Sequence, residues 1–293
     1  MDTAVTVEAV SPGAADGAAA LDRAFGWFRE VEAKCSRFDP GSELRRLCER
    51  PREPVAVTPL LWGALRLAVE VARQSGGAFD PTVGRRMEMR GFDRDYRSGR
   101  RIPTGIDPEA GASWRDVSLD GRGRTVTLRR PLLLDLGGVA KGLAVDLALH
   151  ELDGFAGAAV DAGGDVAVRG VNARGTAWRI GIRHPREPGE LCTCLELAGG
   201  AVCTSGDYER RAHCDGGGHH VDPRNGAPAA DVVSCTVVAP EASLADALST
   251  AATILGAAAG SDWLHRHGVE GLLFTAALER FTTPGFGGLE QCG

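Results

Sequence analysis

The chain has 293 residues, of which 33 are Lys or Arg and 39 are Asp or Glu, giving a formal net charge of -6, and 43% are hydrophobic. This balance argues against nucleic acid as the main partner. With no apolar run long enough for a transmembrane segment and no signal-peptide pattern after Met1, a cytoplasmic location is expected. Eight cysteines occur without a Cys-x-x-Cys pair, and in such a chain they are expected to be reduced, with Cys192 and Cys194 as small buried residues of one strand.

Val5, Val7 and Ala9 alternate with polar neighbours over residues 3–10, which predicts an edge strand. Residues 14–34 read as an alanine-rich helix with Leu21, Phe25 and Phe28 on one face, and a polar turn at Phe38-Asp39-Pro40-Gly41 leads to a short helix over 42–48. Thr58 and Pro59 open a further helix as cap and first-turn residue, with Gly76-Gly77 ending it. Residues 84–113, rich in charge, Gly and Pro, predict an irregular excursion. A hairpin follows over 117–119 and 125–128, turned by Asp120-Gly121-Arg122-Gly123. Strands are expected at 157–161, 165–169, 178–183, 191–197 and 232–239. Helices are expected at 243–255 and 261–267, and a strand at 269–275. Hairpin-grouped strands between helices predict an α+β fold of mixed, largely antiparallel sheets with packed helices in two closely associated lobes. The expected organisation is one domain over residues 1–281 and a loosely held, glycine-rich tail over 282–293.

The segment Pro131–Gly142 carries the most chemistry. An apolar run ends in Asp135, Gly137 and Gly138 follow, and a helix pattern begins with Lys141 in its first turn. A strand and glycine turn opening a helix suit phosphate, because backbone N–H groups and the helix dipole face an anion there. A cation in the first turn is disfavoured unless an anion lies close. The plainer reading is a tight turn with a solvated lysine.

Other motifs point to the same chemistry, each with its own plainer reading. Gly76–Gly84 sets Ala78, Phe79 and Asp80 in a loop suited to a ring and a hydroxyl, or to a turn that Asp80 satisfies itself. Asp161 and Asp165 flank Gly163-Gly164, which suits backbone approach to a ligand or a simple bend. Thr204 and Ser205 end a strand before Gly206-Asp207, as phosphate contacts or a helix cap. His219 and His220 precede Asp222, a base beside a carboxylate. Asp246 and Thr250 lie one helical turn apart, which suits Mg²⁺, or else Ser243 caps the helix with Asp246 in a capping box.

In order, GGAFDPTVG, DLGGVAKG with Val145-Asp146, VDAGGD, TSGDYER, HHVDPRNG and ADALSTA resemble the ApbE-like FAD:protein FMN transferases, over about residues 3–275. The resemblance implies an enzyme that cleaves FAD and moves FMN onto a threonine of an acceptor protein, releasing AMP. It implies FAD contacts at Ala78, Phe79, Asp80, Asp135, Lys141, Thr204, Ser205 and Val221. It further implies Mg²⁺ on Asp246, Thr250 and the backbone oxygen of Gly138, with His219 as catalytic base. Departures from the family pattern stand at Asp2, Cys48, Arg90 and His220. An FAD pyrophosphatase and a flavin-binding module without turnover are the alternatives.

Overall fold

The computed structural model describes residues 3–10, 17–94, 99–207, 221–227, 229 and 231–290. The N-terminal part comprises β1 (Val5–Val10), α1 (Gly17–Cys35), α2 (Glu43–Cys48), β2 (Pro54–Ala56), α3 (Pro59–Gln74) and α4 (Gly84–Met89). The middle holds β3 (Val117–Asp120), β4 (Thr125–Leu128), α5 (Gly137–His150), β5 (Gly157–Ala162), β6 (Asp165–Gly170), β7 (Trp178–Arg183), β8 (Leu191–Leu197) and β9 (Gly199–Gly206). The remainder is β10 (Val232–Ala239), α6 (Ala242–Leu255), α7 (Ala257–Arg266), β11 (Glu270–Thr275) and β12 (Arg280–Thr282).

Seven strands form one sheet in the order β1-β5-β6-β9-β10-β11-β12, and every neighbouring pair is antiparallel. Strand β1 lies at an edge, as its alternation predicts. Val5, Val7 and Ala9 turn toward the helices, while Thr6 and Glu8 stay exposed. A small sheet, β2-β4-β3, contains the expected hairpin, and β7-β8 forms a separate two-stranded sheet.

One face of the large sheet carries the helices. Ala158, Val160, Ala201, Cys203 and Val237 pack there against buried residues of α1, α3, α5, α6 and α7. The other face is covered in part by the β7-β8 hairpin, where Val168, Val202 and Phe274 meet Trp178, Ile180 and Leu195. The α+β class is therefore as expected, with two cores on opposite faces of one sheet.

Local signals set several boundaries. The Thr58 hydroxyl accepts the Leu61 amide at 3.4 Å and caps α3, with Pro59 in the first turn. Ser42 does the same for α2, accepting from Arg45 N at 3.0 Å. In α1 the buried stripe is Ala20, Ala24, Phe28, Val31 and Cys35; of the predicted face, Phe28 is buried and Leu21 half-buried against the core, whereas Phe25 is exposed.

Four further expectations are corrected. Residues 84–113 contain the helix α4, and Glu88 and Asp93 are buried within the supposed excursion. Pro131–Asp135 is extended but is no strand. Its backbone bonds run to the preceding loop, Asp135 N to Pro81 O at 2.7 Å and Gly84 N to Leu133 O at 3.1 Å. Cys192 and Cys194 are half-buried, not core residues. The segment after Thr282 is held through residue 290, because Phe286 is fully buried in the hairpin core and Leu195 bridges Glu290. The six described cysteines are free thiols. Among the described residues no helix is long and apolar enough to cross a membrane.

Candidate active site

The site lies where α5, α6 and the end of β9 meet the loop after α3. Gly76 and Gly77 have φ of 62° and 86°, a left-handed pair that ends α3 and turns the chain sharply. The loop then places Phe79 inside, its N–H bonded to Ser75 Oγ at 3.0 Å. A Cβ on Gly138 would lie 3.1 Å from the Phe79 ring and 3.1 Å from Thr250 Oγ1. The bare backbone of Gly138 thus faces an aromatic ring and a hydroxyl from two other elements. Its φ of -92° and ψ of 18° break the first turn of α5.

Helices α5 and α6 touch backbone to backbone. A Cβ on Gly142 would fall 2.3 Å from Ala242 O. The Gly142 amide donates to Asp246 Oδ2 at 3.2 Å, which fixes the carboxylate from the neighbouring helix. One turn later, Thr250 lies 3.3 Å from the Ser205 hydroxyl, and Ser205 and Ser249 hydroxyls are 2.8 Å apart.

The anion beside Lys141 is the buried carboxylate of Asp165 at the start of β6, which accepts from the ammonium. Burial pulls the Lys141 pKa down, but the Asp246 and Asp165 carboxylates outweigh it and hold the ammonium above its ordinary value. This contact resolves the first-turn conflict without an external phosphate. Burial, with the same two carboxylates, pushes the nearby Cys203 thiol well up.

Asp135 stands at the entrance to α5. It accepts from Arg37 Nε at 2.5 Å and from Gly137 N at 2.7 Å. Buried Arg37 also donates to Phe92 O and lies 4.0 Å over the Phe38 ring. Its Nη1 has no hydrogen-bond partner among the described residues.

Asp80 is used within its own loop. Oδ1 accepts from Thr82 N at 2.8 Å and Thr82 Oγ1 at 2.7 Å, and Oδ2 accepts from Trp114 N at 3.2 Å. Burial nonetheless raises its pKa. The capping-box reading of Asp246 is overturned. Asp146 of α5 caps α6 across the helix contact, accepting from Ala242 N at 2.7 Å and Ser243 N at 2.9 Å.

A family model described as the ApbE family matches residues 1–273. The chain belongs to the ApbE family. It is 34% identical over 275 residues to the FAD:protein FMN transferase of Treponema pallidum, spanning 83% of this chain and 73% of that one. The Vibrio cholerae FAD:protein FMN transferase is 30% identical over 254 residues, spanning 84% and 76%. Among solved structures, the ApbE protein of Thermotoga maritima matches with a TM-score of 0.84 at 29% identity, covering 99% of this chain and 100% of that one. The flavin transferase ApbE from Vibrio cholerae matches with a TM-score of 0.84 at 25% identity, covering 99% and 96%.

In this ApbE chain the fold brings Phe79, Gly138, Lys141, Ser205, Asp246 and Thr250 into one neighbourhood, with Asp135 at its entrance. Ala78 is buried beneath the loop. Thr204 lies on the opposite face of the sheet, 2.9 Å from the Thr236 hydroxyl, because successive strand residues alternate. Val221 is buried and begins a turn in which Asp222 pairs with Arg224 at 2.8 Å. His219 and His220 lie outside the described residues, as does Asp2.

Cys48, one of the departures from the family pattern, is buried with its sulfur 3.4 Å from Leu134 N and so supplies the acceptor that backbone N–H requires. Arg90 directly follows α4. The sequence reading missed Arg37, Ser249 and the contact between Lys141 and Asp165, none of which is marked by spacing along the chain.

Proposed function

We propose that this chain is a Mg²⁺-dependent FAD:protein FMN transferase, which cleaves FAD, joins FMN through a phosphodiester to a threonine hydroxyl of a target protein and releases AMP. The observation that carries this reading is the meeting of Gly138 and Thr250, with Asp246 one turn away and anchored to Gly142. A carboxylate, a hydroxyl and a backbone oxygen form a hard-oxygen donor set that fits Mg²⁺, which keeps several waters and bridges phosphates. Asp246, Thr250 and the Gly138 oxygen would hold the ion. When bound, it would offset charge on the pyrophosphate.

The chain's own residues account for the rest. Phe79 presents its ring beside Gly138, where a planar group or ribose would pack. Arg37 Nη1, beside Asp135 and without a hydrogen-bond partner among the described residues, would be a donor for a polar group of FAD. Lys141 holds Asp165 and keeps positive charge beside Asp246. In the transfer, the threonine oxygen forms a bond to the FMN phosphorus as the bond to the AMP oxygen breaks. AMP keeps that electron pair, and the threonine proton passes to His219, the base implied by the sequence motif.

The test is chromatography of FAD incubated with the protein and Mg²⁺, with and without a protein extract of its own cells. AMP release with covalent flavin on an extract protein is the expected result. AMP with free FMN in both tubes indicates a pyrophosphatase, and untouched FAD indicates a binding module. Asp246→Ala should lower transfer by at least ~100-fold with the circular dichroism unchanged. Surviving transfer would remove the metal assignment.

A further inference from the structure

Beside the first turns of α5, one ammonium faces two carboxylates. Lys141 is drawn electrostatically by Asp246 of α6 and by Asp165 of β6. The ion pair and hydrogen bond that it makes are with Asp165. Asp246 is anchored by the Gly142 amide at 3.2 Å. A metal ion on Asp246 and the ammonium of Lys141 are therefore rivals for one carboxylate, since two cations brought close in a water-poor site repel strongly.

Three features decide that rivalry. First, the backbone fixes where Asp165 stands. The turn before it, Gly163-Gly164, has φ of 66° and 94°, as a tight two-residue hairpin requires, and Ala162 pairs with Asp165 across it. Asp165 shares a face of β6 with Ala167, two residues on, and so points to the helix side. Second, the pair is withdrawn from water. Asp165 is buried and the Lys141 side chain is 20% exposed, so parting them would strand a buried charge. Third, the residue type suits a hold on one carboxylate. Lys34 and Lys141 are the two lysines among 33 basic residues, all the others being arginine. A guanidinium fork set between two carboxylates would engage both, whereas an ammonium is a compact charge on a flexible stem that one carboxylate can keep.

We propose that Asp165 is a positioning residue of the transfer site, which holds the Lys141 ammonium away from Asp246 and so leaves that carboxylate to the metal ion. The proposal deepens the transferase reading and rests on its metal assignment. Without the Asp165 charge, the ammonium turns to Asp246 and competes there with the metal.

The test is a double-mutant cycle on the full chain, which isolates the coupling between two residues in contact. Mg²⁺ is titrated calorimetrically, without FAD, into the wild type, Asp165→Asn, Lys141→Met and the double variant. With Lys141 present, Asp165→Asn should raise the Mg²⁺ Kd at least tenfold. In the Lys141→Met background the same change should raise it less than threefold. Equal factors in the two backgrounds would mean that Asp165 acts through its charge alone, and would overturn its positioning role while the metal assignment stands. A wild type that binds no Mg²⁺ would overturn both.

A second readout needs no change at Asp165. The chain labelled with nitrogen-15 lysine gives two side-chain signals, and that of Lys141 is identified by its loss in Lys141→Met. Held by Asp165, the Lys141 ammonium should keep its slow hydrogen exchange when Mg²⁺ saturates the wild type. Disappearance of that signal on adding Mg²⁺ would show the metal driving Lys141 from its partner, and the proposal would fall.

Discussion

Asp80 shows how one side chain is spent on structure before it meets a ligand. Its two oxygens take three hydrogen bonds, from Thr82 and Trp114, yet burial still raises its pKa above the ordinary carboxylate value. A carboxyl raised on folding gives stability that is fully present below its unfolded value and is lost as pH rises through the folded one. The stability difference between wild type and Asp80→Asn should therefore shift against the wild type from about pH 3 to pH 7. Urea titrations at several pH values check this, and a difference that moves the other way would show that the hydrogen bonds outweigh burial. The loop motif around Asp80 was legible in the sequence, and so was the chance that Asp80 serves its own turn. Its third bond, from Trp114, was not, because that partner stands 34 positions away.

At the scale of elements, the α5–α6 crossing decides whether a site exists. Gly142 sits against Ala242 O and Ser243 N at distances no Cβ can accept, and the obstructing atoms are backbone. Gly142→Ala should cost about 1–3 kcal/mol by overpacking and should also weaken Mg²⁺ binding, since the Gly142 amide orients Asp246. Denaturation midpoints and metal titration measure the two effects separately. Loss of stability with metal affinity intact would free Asp246 from that anchor. The one-turn spacing of Asp246 and Thr250 along a single helix was legible in the sequence. What capped their helix was not, because the cap is Asp146 on another helix. Pro131–Asp135 was misread as a strand because a short apolar run looks alike in a sheet and in a buried loop. Only its partners at Pro81 and Gly84 tell the two apart.

Across the whole molecule, a single antiparallel sheet separates two cores of different make. The helix side is built largely of Ala, Leu and Val, whereas the hairpin side relies on Trp178, Ile180, Phe274 and Phe286. The last of these lies in the segment that composition alone marked as loose. Glycine around it suggested weak order, and the one aromatic that anchors it outweighs that signal. Phe286→Ala should cost about 3–5 kcal/mol and make the chain end after Thr282 sensitive to protease. Thermal unfolding and limited digestion report on this, and an unchanged melting temperature would mean the hairpin core does not need the anchor.

The edge position of β1 also governs how the chain is made. Val5 pairs with Ala162 and Val10 with Gly157, so the first strand waits roughly 150 residues for its partner. At about 5–20 residues per second that is on the order of ten to thirty seconds of synthesis. During that interval β1 has no sheet to join, and α1 has no α5 to cover its alanine stripe. β1 and the buried stripe of α1 thus stay without their native partners until β5 and α5 have been made.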